Sequence, residues 1–64
     1  MSNCKTLDEA KALARQLAEF GKTTDHPCAF EVVKTRSKPF EVQPFGMHAL
    51  FKSHKLLHVE PIPA

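Results

Sequence analysis

Residues 6–22, Thr-Leu-Asp-Glu-Ala-Lys-Ala-Leu-Ala-Arg-Gln-Leu-Ala-Glu-Phe-Gly-Lys, decide how the rest of the chain is read. At the helical period, Leu7, Ala10, Leu13, Ala14, Leu17, Ala18 and Phe20 gather on one side. Asp8, Lys11, Ala12, Arg15, Gln16, Glu19 and Lys22 gather on the other. A wide apolar stripe of this kind marks a helix lying on a core. The start is signalled by a capping box. Thr6 is placed to accept from the Glu9 N–H, and the Glu9 side chain to reach back to the N–H of Thr6. Asp8 and Glu9 in the first turn suit the positive end of the helix dipole. Gly21 is the expected stop. Three alanines on the stripe allow a close approach by a packed element.

The chain after the helix reads as strands. Residues 21–27, Gly-Lys-Thr-Thr-Asp-His-Pro, form a polar connection ended by Pro27. Gly-Lys-Thr-Thr is not a phosphate-binding loop, because it lacks the glycine-rich lead-in and follows a helix. Residues 28–34 alternate, with Cys28, Phe30 and Val32 on one face and Ala29, Glu31 and Val33 on the other. Residues 40–45 alternate too, with Phe40 and Val42 opposed by Glu41, Gln43 and Phe45. Thr35–Lys38 and Pro39 join the two runs, which predicts an antiparallel hairpin. Pro39 and Pro44 cannot donate ladder hydrogen bonds and belong at strand ends or on an edge. Residues 47–58 fit a short helix or a strand equally, and Leu56–Glu60 reads as a last strand stopped by Pro61. The expected fold is α+β, one amphipathic helix on a small antiparallel sheet, in the order α-β-β-(short α or turn)-β.

Sixty-four residues predict a single small domain spanning 1–64. At this size folding buries only about 60% of the unfolded chain's surface, so a partner or a staple is expected to help. An apolar content of 42% argues against disorder, and a net charge of +2 is too small to imply nucleic acid by itself. No apolar run reaches the length of a membrane span, and the start has no signal-peptide core, so a cytoplasmic location is expected. In that compartment Cys4 and Cys28 are expected to be free thiols, with Cys28 buried and inert on the face of Phe30 and Val32.

Three constellations bear on function. His26, His48, His54 and His58, with Cys4 and Cys28, supply ligand types for zinc, but their spacing matches no structural zinc pattern. A cysteine nucleophile would need a histidine beside it. Cys28 and His26 are badly placed for that, and Glu31 and Glu41 read as exposed strand residues, so no catalytic set is expected. Lys34, Arg36 and Lys38 form a basic hairpin tip that could contact phosphates, with Phe40 or Phe45 to stack on a base.

The leading expectation is a non-enzymatic protein-binding domain without a cofactor, acting as an adaptor or inhibitor of a larger protein. Small chains of phages and other mobile elements often act in this way. Helix and sheet would share an inner face of Phe30, Val32, Phe40 and Val42. The outer face would carry Val33 and Phe45, with Met47 or Phe51 nearby. Phe45, Met47 and Phe51 are therefore the candidate protein-binding residues. Three occupants could cover this face: residues 47–59, a second copy in a homodimer, or a partner protein. The alternatives are a nucleic-acid-binding domain using Lys34, Arg36 and Lys38, and a zinc-stabilised interaction module.

Overall fold

In a computed structural model, which describes residues 4–63, the helix α1 spans Leu7–Gly21. Thr6 is its N-cap, and its hydroxyl accepts from the Glu9 N–H at 3.1 Å. The return bond of the capping box lands one residue earlier than expected, since the Lys5 N–H donates to Glu9 Oε2 at 3.1 Å. The acceptor from Thr6 satisfies a donor that no helical carbonyl can reach. Thr6→Ala is accordingly expected to cost about 1 kcal/mol in a urea melt.

The helix ends differently from the sequence reading. Gly21 is its last helical residue and does not adopt a left-handed stop. Thr23 Oγ1 donates to the Phe20 carbonyl at 2.8 Å and Thr24 Oγ1 to the Gly21 carbonyl at 2.7 Å. The hydroxyls of the polar connection thus satisfy carbonyls that the last turn leaves free.

Three strands follow: β1 (Phe30–Lys34), β2 (Glu41–Pro44) and β3 (Lys55–Glu60). A single 3-10 turn, Met47–Leu50, lies between β2 and β3. The sheet order is β2-β1-β3, with both pairs antiparallel, so β1 is central. The fold is the expected α+β pair of layers. Val32 faces Val42 across the hairpin, and both join Ala10 and Ala14 in the buried core. Leu7, Leu13, Leu17, Phe30 and Phe40 pack around that centre. Ala10, Ala14 and Ala18 are fully buried. The small side chains thus lie at the closest approach of helix and sheet, as the stripe predicts.

Two apolar assignments need correction. Phe20 is 75% exposed, because it lies at the margin of the stripe in the last turn, where none of the described residues covers it. Cys28 is exposed. The ladder ends with Phe30 opposite Pro44 and Glu60, which leaves Cys28 beyond the sheet. Both thiols are free.

Candidate functional site

The face of the sheet away from α1 is organised by one residue, Glu31. Val32 packs on the helix, so its neighbours Glu31 and Val33 point to the opposite side. The expectation that Glu31 is exposed is overturned, for it is fully buried, as is Val33. The chain after β2 folds back onto Glu31. Gly46, with a φ of 98°, makes a turn suited to glycine, and its N–H donates to Glu31 Oε1 at 2.9 Å. The His48 N–H donates to Glu31 Oε2 at 2.8 Å, and His48 Nδ1 lies 2.7 Å from Oε1. Gln43, directly opposite on β2, donates from Nε2 to Oε2 at 2.6 Å.

A carboxylate removed from water is tolerable only with such a set of donors. Burial pushes the Glu31 carboxyl up. The bonds from Gln43, the Gly46 N–H and the His48 ring and N–H together hold it below its ordinary range. Val33 is buried within the single chain, between Glu41 and Leu56 of the flanking strands.

The segment after β2 turns its larger apolar groups outward. Leu50 is 72% exposed, Phe45 54% and Phe51 44%, while Met47 is half-buried. Phe45 stands beside His48, with ring centroids 6.1 Å apart, and Phe51 stacks on His54 at 4.7 Å. His54 Nδ1 is buried without a hydrogen-bond partner among the described residues. On β3, Val59 lies opposite Glu31 and Leu56 opposite Val33, so both stand on this same face. Each is more than a third exposed. Phe45 and Phe51 are exposed, as are Leu50 on the same segment and Leu56 and Val59 on the outer face of β3.

The Glu31–His48 contact has the shape of an oriented base. The imidazole, however, bonds to no serine, threonine or cysteine among the described residues, and both carboxylate oxygens are occupied by donors. The bonds that Glu31 accepts tie the turn at Gly46 and His48 to β1.

The hairpin tip is closed by Thr35, whose N–H donates to the Lys38 carbonyl at 3.0 Å while its hydroxyl accepts from the Lys38 N–H at 3.0 Å. Arg36 and Lys38 share an open groove of about 320 Å³ with Thr35, Ser37, Ser53 and His54. Glu41 also lines it and pairs with Lys38 at 3.3 Å. Lys34 is exposed and does not line the groove. His54 falls in the turn before β3 and His58 within β3, so the helical face that would bring them together does not form. No three histidine, cysteine or acidic side chains among the described residues are grouped to hold a metal. No helix among them is long and apolar enough to cross a membrane.

The Glu31 arrangement carries a weak sequence signal. Glu31 and Gln43 fall opposite each other once the hairpin is registered on Val32 and Val42, and each interrupts an apolar run. A paired carboxylate and amide at the middle of a hairpin points to a covered polar contact. No protein-family model, no curated protein and no solved structure matches this chain.

Proposed function

We propose that this chain is a non-enzymatic protein-binding domain, an adaptor or inhibitor of a larger protein, docking through the apolar surface opposite α1. One observation carries the reading. Apart from Phe20, every large apolar side chain left exposed among the described residues follows Pro44. Phe45, Leu50 and Phe51 stand on the segment after β2, and Leu56 and Val59 on the outer face of β3. The chain uses its apolar residues after Pro44 to display surface more than to fill a core. Clustered apolar surface of this kind marks interaction sites, and exposed aromatic rings are common anchors of protein interfaces.

A second reading has its own observation. Arg36, Lys38, His54 and three hydroxyl groups surround one groove, an array suited to a phosphate of a nucleic acid. The ion pair from Glu41 to Lys38 weakens the positive field there.

Affinity capture from a native lysate separates the two, with three baits of matched thermal stability. These are the parent, Phe45→Ser/Phe51→Ser, and the Lys34→Ser/Arg36→Ser/Lys38→Ser triple. A protein partner that withstands high salt and is lost only with the phenylalanine variant supports apolar docking. A nucleic acid released steeply by salt and lost with the basic triple would replace it with the second reading.

A further inference from the structure

The two edges of the sheet are unlike. The β2 edge is four residues long, ends in Pro44 and is preceded by Pro39, features that block strand addition. The β3 edge is six residues long, Lys-Leu-Leu-His-Val-Glu, with no proline or glycine, and its far side pairs with no described strand. Leu56, Leu57 and Val59 are each more than a third exposed. A long apolar edge of this kind is a template for another strand.

We propose that the β3 edge pairs antiparallel with β3 of a second copy, joining two three-stranded sheets into one. It concerns the β3 edge, shares only Leu56 and Val59 with the surface around Phe45 and Phe51, and stands apart from the preceding reading.

The argument comes from the register. Val32 faces His58, Phe30 faces Glu60 and Lys34 faces Lys55, so Lys55, His58 and Glu60 lie on the helix face of β3. Val33 faces Leu56 and Glu31 faces Val59, so Leu56 and Val59 lie on the outer face. The register shifts between Val32 and Val33, which leaves Leu57 as an extra residue. In a regular strand, residues 55 and 60 would point to opposite faces, as would 56 and 59. The bulge puts each pair on one face.

A two-fold axis normal to the sheet keeps each residue on its own face, so self-pairing needs partners that share a face. With the axis between Leu57 and His58, Lys55 meets the partner's Glu60 on the helix face. Leu56 meets the partner's Val59 on the outer face. Each pair occurs twice, giving two opposite-charge and two apolar cross-strand contacts. A slip of one residue either way sets Leu56 against the partner's His58 or the partner's Glu60, which lie on the other face. Only the unslipped register matches both charge and face. Glu60 Oε1 is already held 3.1 Å from His58 Nε2, which orients its carboxylate along this edge. Both helices would lie on one side of the joined sheet. The open groove between α1 and β3, lined by Lys11, Arg15, Glu19 and His58, would become the floor of a cleft between them.

Sedimentation equilibrium of the whole chain tests this, with circular dichroism to confirm that each variant folds. The parent is expected to form a dimer at micromolar concentration. Lys55→Glu and Glu60→Lys are each expected to weaken association about tenfold, because both cross-strand pairs become like-charged. The double swap should restore it, and Phe45→Ser/Phe51→Ser should leave it unchanged. A single monomer mass across a hundredfold concentration range overturns the proposal. Failure of the double swap to restore association overturns the register. A monomer whose captured partner is lost on Leu57→Pro would assign the edge to a foreign strand, overturning the second copy while leaving the protein-binding reading in place. A parent dimer with no partner lost from the phenylalanine variant would do the reverse.

Discussion

Replacing Glu31 by alanine is expected to destabilise the fold by about 3–5 kcal/mol, comparable to the whole stability of a domain this size. The side chain is fully buried, and its removal leaves the Gly46 N–H, the His48 N–H, Gln43 Nε2 and the His48 ring without their acceptor. Donors partly shielded from water that lose their partner carry a share of the desolvation penalty. A urea melt reads the loss directly. The same carboxylate sets an acid dependence. Its proton affinity is lower in the folded chain than its ordinary value of 4.5. The unfolded chain therefore takes up the proton first as pH falls. The stabilisation is fully present above that value and is lost as pH drops through the lower folded value. Glu31→Gln is expected to be less stable at neutral pH and to lack this part of the acid slope. A Glu31→Gln melt that tracks the parent from neutral pH into acid would show that the carboxylate does not anchor the turn.

Ala14→Leu is expected to have the second largest effect. Ala14 has no exposed surface and sits with Ala10 against Val32 and Val42 at the centre of the helix–sheet contact. A leucine there must push the helix away from the strands or force neighbours off their rotamers. Overpacking of this kind costs about 1–3 kcal/mol. The better helix-forming residue at this site is alanine itself, so propensity gives no compensation. The conservative Ala12→Leu, on the exposed side of the same helix, is expected to fall within about 0.5 kcal/mol of the parent. Equal melting of Ala14→Leu and the parent would mean that the helix does not lie this close to the sheet.

The parts of the fold that could be read from the residues are those with a period. The helix follows from its stripe and its Thr6 cap, and the hairpin follows from two alternating runs with proline at their ends. The inner face of Phe30, Val32, Phe40 and Val42 follows from the same alternation. What could not be read depends on a contact between distant residues. Alternation places Glu31 with Val33 but cannot say whether that face meets water. Its burial is decided by Gly46 and His48, in a stretch where helix and strand periods fit equally well. Cys28 and Phe20 fail for a related reason, since periodicity runs past the point where the opposing element ends. The candidate site divides in the same way. Phe45 and Phe51 were legible as apolar groups beyond the core's needs. The groove joining Arg36 and Lys38 to Ser53 and His54 needed the path of the chain after the 3-10 turn.

Glu31 also gives the molecule a seam. The segment bonded to Glu31 has no fully buried apolar side chain of its own, with Leu50 and Phe51 turned to solvent. It is fastened to β1 largely through one carboxylate, whereas α1 is held by a packed apolar core. The two layers on either side of the sheet therefore have different opening free energies. In native-state hydrogen exchange, the amides of Gly46 and His48 should report a local opening that leaves α1 and the hairpin intact. Once the pH falls below the ordinary carboxylate value of 4.5, the local opening should become easier, because a released Glu31 takes up a proton more readily than the bound one.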